Sequence, residues 1–305
     1  MAEFSIIDSY FNRRNLNSVD LGVGDDSAVL TPPPQQQLVI CTDTSVAGRH
    51  FPLETDPHAI GWKSVAVNLS DIAAMGATPH SILLALSLPQ IDHAWLKAFS
   101  QGLYDCCDQF GVSLIGGDTI QSPHLTISIT ALGWVDSGQA IPRSGAQPGD
   151  LICVSGTVGD AAFALNHPGH PLQQRLDYPS PRCQLGAALK GLAHSMIDVS
   201  DGLAQDLGHI LQASQVGATL ALDKLPLSPA LHTLRDEQKW QYALAGGDDY
   251  ELCFTISPQN YEKLLQKQID VSISIIGTVH SSLGLTFEKN GIDHLLQFNG
   301  YQHFA

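Results

Sequence analysis

The chain has 305 residues, 44% hydrophobic and 15% charged, so it can bury a sizeable core, and two domains are expected. Its formal net charge of −15 argues against sequence-independent nucleic-acid binding, which rests on Lys and Arg neutralising phosphates. No apolar run approaches the roughly 20 residues that cross a bilayer. The start, Met1 to Ser5, lacks the basic and apolar regions of a signal peptide, so a soluble cytoplasmic protein with no membrane partner is expected. Cys41, Cys106, Cys107, Cys153, Cys183 and Cys253 form no CxxC pair and read as reduced, mostly core residues.

Residues 4–14 read as a short helix, followed by a loop carrying Gly22, Gly24, Asp25 and Asp26. Leu38 to Cys41 form a buried strand that runs into Thr42-Asp43-Thr44. Residues 58–75 read as a helix ended by Gly76, with Ser64, Asn68 and Asp71 on one polar stripe. A strand at 81–88, a helix at 93–110 stopped by Gly111, a strand at 112–115 and a half-exposed strand at 125–131 follow. Gln147-Pro148-Gly149-Asp150 marks the domain boundary, giving domains 1–146 and 147–305. Beyond it, helices are expected near 158–166, 182–194, 203–214 and 258–268. Strands are expected near 151–154, 195–199, 218–222, 251–256, 272–277 and 284–288. Mixed order without strict βαβ alternation predicts α+β domains rather than a doubly wound sheet.

Six short acidic segments stand out: Gly24-Asp25-Asp26, Thr42-Asp43-Thr44, Asn68-Leu69-Ser70-Asp71, Gly116-Gly117-Asp118-Thr119, Asp198-Val199-Ser200-Asp201-Gly202 and Gly246-Gly247-Asp248-Asp249. Most set an Asp beside Gly, Ser or Thr next to an apolar run, where a carboxylate can leave the core and meet a hard cation. Mg²⁺ takes oxygen ligands and binds through a few carboxylates together with substrate phosphates. The repeated arrangement points to a multi-metal site for a phosphorylated substrate. It also answers a puzzle, because the chain is acidic and has no GxxxxGK[ST] loop. Bound Mg²⁺ would make the local field positive.

Each segment alone has a plainer reading. Asp201 before Gly202 and a helix suits an N-cap, although Asp198, Ser200 and Asp201 supply more oxygens than a cap needs. Asp118 after two glycines suits a turn. Asp71 lies on a helix too apolar to be exposed all round, so it is either solvated on the stripe or paired inside. His50 reads as a loop histidine, and Arg143 as either a surface ion pair or a bidentate phosphate clamp.

Together the motifs resemble the thiamine-monophosphate kinase family of the aminoimidazole ribonucleotide synthetase-like superfamily. The resemblance rests on Gly22–Asp26, Cys41–Thr44, Ala47–Phe51, Val67–Gly76, Ile115–Thr119, Arg143–Gly145, Ile197–Leu203 and Gly246–Leu252, in family order along nearly the whole chain. It implies an N-terminal ATP/Mg-binding and dimerisation domain, a C-terminal α/β domain, and a homodimer formed through N-terminal sheets. The implied reaction transfers the γ-phosphoryl group of ATP to thiamine monophosphate with several Mg²⁺ ions. The implied metal set is Asp26, Cys41, Thr42, Asp43, Asp71, Asp118, Asp198 and Asp201. Tyr104, Gly117, Asp118, Arg143 and Ser200 would contact ATP; His50, Asp248 and Tyr301 would line the thiamine phosphate site.

Two positions depart from the family pattern. Asp248 stands where Glu is usual, one methylene shorter, and Cys41 stands where Ser is common, so a backbone carbonyl would be its donor. A sister synthetase acting on a purine precursor and a non-catalytic nucleotide-binding relative are the competing readings. No catalytic base is expected.

Overall fold

The computed structural model describes residues 2–13 and 19–296. The chain divides into two compact units, Met1–Ile72 with Ala77–Gly138, and Ala73–Gly76 with Gln139–Ala305.

The first unit opens with α1 (Ala2–Ile6), which continues as a π-helical turn over Ile7–Phe11. Then come β1 (Gln36–Val46), α2 (Pro57–Ala74), β2 (Thr78–Leu88), α3 (His93–Phe110), β3 (Ser113–Gln121) and β4 (Thr126–Asp136). The strands form one sheet in the order β1-β4-β2-β3, antiparallel except for β2 with β3. Alternation decides its faces. Ile82, Leu84, Leu86, Ile127, Ile129 and Ala131 are buried on the side that meets α2, where Ile72 abuts Gly133. Thr42, Thr44, Ser128 and Thr130 lie on the other side.

Helix α3 has the ends expected of it. Asp92 accepts the backbone N–H groups of Ala94 and Trp95, and Gly111 takes a left-handed conformation at φ 66°. Gly61 of α2 and Gly102 of α3 let the two helices cross at backbone contact. A Cβ on Gly61 would lie 2.1 Å from the Phe99 carbonyl, and one on Gly102 would lie 1.9 Å from that of His58.

The second unit contains β5 (Leu151–Ser155), α4 (Asp160–Asn166), α5 (Gln173–Asp177), α6 (Cys183–Leu189), β6 (Ala193–Asp198) and α7 (Leu203–Ser214). It continues with β7 (Gly217–Ala221), α8 (Pro229–His232), α9 (Asp236–Ala245), β8 (Leu252–Ile256) and α10 (Pro258–Leu264). The last strands are β9 (Ile273–His280), β10 (Gly284–Lys289) and β11 (Ile292–His294). Its sheet runs β11-β10-β7-β9-β5-β8-β6, with only β7 and β10 parallel. Both faces are covered. Val154, Ile197, Leu207, Leu220 and Trp240 belong to one core, while Cys153, Leu185, Met196, Phe254 and Leu264 belong to another. That is why every residue of β8, Leu252 to Ile256, is buried.

The two-domain α+β architecture agrees with the sequence expectation. The differences are local. Thr42-Asp43-Thr44 and Gly116-Gly117-Asp118 lie within strands β1 and β3, not in turns after them. Their polar side chains suit a part-exposed sheet surface as well as a turn. Helices α5, α8 and α9 were not expected, and α6 ends at Leu189, well short of residue 194. The polar stripe of α2 is not solvated, since Ser64 and Asn68 are buried.

Among the described residues, no helix is long and apolar enough to cross a membrane.

Candidate active site

Each unit carries its own cluster of acidic residues. In the first unit the cluster is organised by Asn68, fully buried on α2. Its Oδ1 accepts the N–H of Asp43 at 3.0 Å, and its Nδ2 donates to the Ser64 carbonyl at 3.0 Å. The Cys41 thiol donates to the Asn68 carbonyl at 3.3 Å. Burial, then the charges of Asp71 and Asp43, push that thiol far up, so it stays protonated. Asp71 sits one turn beyond Asn68 on α2, close enough to Cys41 to take part in that shift. Cys41, Asp43 and Asp71 are therefore neighbours. Thr42 hydrogen-bonds the Ile129 carbonyl at 3.0 Å and accepts from Thr130 at 3.1 Å on the opposite face.

A second set of polar residues lies on the opposite face of the sheet, aligned by its register. Thr44, Ser128, Ala85 and Asp118 occupy one row across β1-β4-β2-β3. Between Ile82 and Leu83 the β2–β3 register slips, so Ile115 is an extra residue, a bulge just before Gly116. Gly117, at φ 151°, presses on β2, and a Cβ there would stand 1.8 Å from the Leu84 carbonyl. This glycine pair opens onto a cleft of about 960 Å³. Gly24, Asp25 and Asp26 line it from the loop, Phe4, Ile7 and Phe11 from the N-terminal helix, and Gly116 to Thr119 from β3. Asp26 and Asp118 thus share one cavity.

His50 lies in the turn after β1. Its Nδ1 accepts the Val46 N–H at 3.0 Å, which places the neutral ring's proton on Nε2. Tyr104 is on α3 beneath Arg13, whose guanidinium stands 4.9 Å from the ring centroid and pairs with Asp108 at 2.7 Å. Its hydroxyl is buried and has no hydrogen-bond partner among the described residues, and Tyr104 does not line the cleft.

In the second unit Asp198 ends β6, almost wholly buried, and Ser200 and Asp201 follow in the turn to α7. One oxygen of Asp206 accepts the N–H groups of Ser200, Asp201 and Gly202, each at 3.1 Å. Three successive amides make an anion-binding nest, here filled by the chain's own carboxylate. Burial pushes the Asp206 carboxyl up to about 7, and Asp198 and Asp201 push the same way against the amides.

The segment from Gly246 to Glu251 lies against this turn. Asp248 donates its N–H to the Ser200 carbonyl at 2.9 Å, and Tyr250 donates to that of Val199 at 2.9 Å. A Cβ on Gly247 would meet the Ser200 carbonyl at 2.3 Å, so glycine is required there. Arg143 is exposed in the loop before β5. Ser214 holds this loop by accepting the N–H groups of Gly145 and Ala146 at 3.1 Å. The second unit thus groups Asp198, Ser200, Asp201 and Asp248. Tyr301 lies outside the described residues.

Several structural residues escaped the sequence reading. Asp206 sits four residues after Gly202, in the first turn of α7. Glu251, fully buried, accepts from Ser155, Arg175 and Arg182. Its signal was a glutamate inside an apolar strand start, which needs a cationic partner.

Among the described residues, no group of three or more His, Cys, Asp or Glu side chains is gathered closely enough to hold a metal. The donor chemistry nevertheless fits Mg²⁺. The candidates are carboxylate and hydroxyl oxygens, and Asp206, pushed upward first by burial, is pushed further by Asp198 and Asp201, a repulsion that a cation would relieve. Mg²⁺ keeps waters and substrate oxygens in its shell, so one or two carboxylates suffice to hold it.

Residues 24–135 match the family model for the AIR synthase related protein, N-terminal domain, and residues 172–288 match that for the C-terminal domain. Thiamine-monophosphate kinase of Escherichia coli (strain K12) is 45% identical over 320 residues, covering 99% of this chain and 98% of that protein. The crystal structure of thiamine-monophosphate kinase from Stenotrophomonas maltophilia K279a superposes with a TM-score of 0.84 at 44% identity, covering 95% of this chain and 96% of that one. A structure of AaThiL complexed with AMPPCP and TMP gives a TM-score of 0.78 at 30% identity, over 90% and 89% of the two chains. With relatives this similar along its full length, the chain belongs to the thiamine-monophosphate kinase family, built from the two AIR synthase-related domains.

Proposed function

We infer that this chain transfers the γ-phosphoryl group of ATP to the phosphate of thiamine monophosphate, releasing thiamine diphosphate and ADP. The observation that carries the reading is full-length identity of 45% to a thiamine-monophosphate kinase, in a chain that keeps carboxylates at each of its acidic motifs. The structure of AaThiL with AMPPCP and TMP supports ATP and thiamine monophosphate as the two substrates.

The acceptor is itself a phosphate monoester, with a second pKa of about 6, so it is largely ionised at neutral pH. No general base is needed. The difficulty is repulsion between two anions, and Mg²⁺ would supply the charge neutralisation that offsets it. In this reading Asp26, Asp43, Asp71, Asp118, Asp198 and Asp201, with Thr42 and a backbone carbonyl at Cys41, would hold the several Mg²⁺ ions. Gly117 lets backbone approach a phosphate. Arg143, Ser200 and Asp118 would contact ATP, and His50, Asp248 and Tyr301 would receive thiamine monophosphate.

The N-terminal domain (1–146) binds Mg-ATP and dimerises, and the C-terminal domain (147–305) completes the enzyme, which works in the cytoplasm. The homodimer reading is supported by the outer sheet face of the first unit, where Leu38, Ile40 and Ile120 are exposed at 44%, 58% and 52%. Leu38 and Ile40 are next-but-one neighbours on β1, and Ile120 lies on β3 at the opposite edge of the sheet.

A coupled ADP-release assay with Mg-ATP tests the function, comparing thiamine monophosphate, thiamine and no acceptor. ADP release that depends on the monophosphate is expected. Equal release without it would move the chain to another ATP-dependent reaction.

A further inference from the structure

The segment from Asp248 to Glu251 alternates two anchored carboxylates with two residues in strained backbone. Asp249 is 2% exposed and accepts the N–H of Gly159 at 2.6 Å and that of Ala161 at 3.3 Å, at the start of α4. Glu251 is fully buried under Arg175, Arg182 and Ser155. Between and before them, Asp248 and Tyr250 adopt φ values of 69° and 52°, the left-handed region that non-glycine residues seldom enter. Strain of this kind persists only where surrounding structure enforces it, and it concentrates at sites that must hold a side chain in one place.

What the strained backbone achieves is a contact between its two outward residues. The Tyr250 hydroxyl donates to Asp248 Oδ1 at 2.9 Å. In ordinary extended strand, residues two apart point the same way but their side chains stand well apart; the left-handed turns at both positions fold the phenol back onto the carboxylate. The same segment is tied by Asp248 N–H and Tyr250 N–H to the carbonyls of Ser200 and Val199. Asp248 is therefore fixed both to the Asp198–Asp201 turn and to a tyrosine.

We propose that Tyr250 is a positioning residue that aims the Asp248 carboxylate at the cationic end of thiamine monophosphate. The inference rests on the reading above in which Asp248 meets that substrate. A carboxylate repels the phosphate and attracts the thiazolium or the aminopyrimidine, so Asp248 acts on the acceptor's heterocyclic end. With one methylene less than glutamate, an aspartate has a shorter reach and depends more on where it is aimed. Tyr250 supplies that aim through a charge-assisted hydrogen bond.

The test is a double-mutant cycle on the full-length enzyme with Tyr250→Phe and Asp248→Gly, glycine being chosen because φ is positive there. Phe keeps the ring and its packing and removes only the hydroxyl. Losing a hydrogen bond to a charged group predicts a rise of about tenfold in KM for thiamine monophosphate. KM for ATP, kcat and the melting temperature of Tyr250→Phe should stay near wild type. In the Asp248→Gly background the tyrosine change should add nothing, because its effect passes through the missing carboxylate. A Tyr250→Phe enzyme with wild-type KM, or one whose effect is as large without Asp248 as with it, overturns the proposal. An Asp248→Gly enzyme with wild-type KM for thiamine monophosphate overturns the underlying substrate-contact reading instead. If Asp248→Gly does not fold, Tyr250→Phe alone still decides, by its KM for thiamine monophosphate set against its KM for ATP.

Discussion

The side-chain amide of Asn68 ties Asp43 to helix α2, its Oδ1 accepting the Asp43 N–H at 3.0 Å while its Nδ2 donates to the Ser64 carbonyl. Two acidic motifs far apart in sequence, Thr42-Asp43-Thr44 and Asn68-Leu69-Ser70-Asp71, are thereby locked to one another. Asn68 serves as a buried strut.

Asn68→Ala should therefore cost both stability and activity. Losing the partner of the Asp43 amide and leaving a void at the fully buried Asn68 position predict a loss of about 1–3 kcal/mol in unfolding free energy. Chemical denaturation measures the first effect. A fall in kcat larger than in ATP affinity would show that Asp43 and Asp71 are misplaced.

Asp206→Ala removes one acceptor from three successive N–H groups, at Ser200, Asp201 and Gly202. The turn bearing Asp198 and Asp201 should loosen. We expect a higher Mg²⁺ concentration for half-maximal activity, read from a titration at saturating ATP, with a smaller effect on melting temperature than that of Arg182→Leu.

Arg182→Leu breaks a two-pronged ion pair to Glu251, a carboxylate that is fully buried. Arg175 remains at 2.7 Å, so the charge is only partly compensated. Stability should fall by about 3 kcal/mol, measured by urea unfolding.

Burial pushes the Asp249 carboxyl up to about 8, against the opposing pull of the Gly159 amide and Arg175. The folded chain then holds a proton that the unfolded chain releases near pH 4 (roughly the ordinary Asp value). This group's stabilisation is full below about pH 4 and is lost as pH rises through about 8. Asp249→Asn should flatten the decline in melting temperature across that window. An unchanged pH profile would show that Asp249 is charged in the native protein.

The sequence made some elements plain because local chemistry and burial agree. Helix α3 has a capping Asp92, a stopping Gly111 and one apolar face, and it runs over the expected residues. Helix α7 likewise runs from Leu203 to Ser214 as expected. Helix α9 was hidden, because only Trp240, Ala243 and Leu244 of its ten residues are buried and most of the rest are polar. Gly116-Gly117-Asp118 looked like a turn because two glycines break most strands. Here they follow a bulge and let β3 press on β2. The candidate site residues could be named from their motifs. Asn68 holding Asp43, Asp206 filling a nest and Tyr250 reaching Asp248 depend on geometry that spacing does not encode.

The most direct test of the whole account is to follow label from [γ-³²P]ATP incubated with the protein, Mg²⁺ and thiamine monophosphate, separating the products by chromatography. The account predicts label in thiamine diphosphate, formed in step with ADP. Label appearing only in inorganic phosphate, or no transfer under any acceptor concentration, would contradict it.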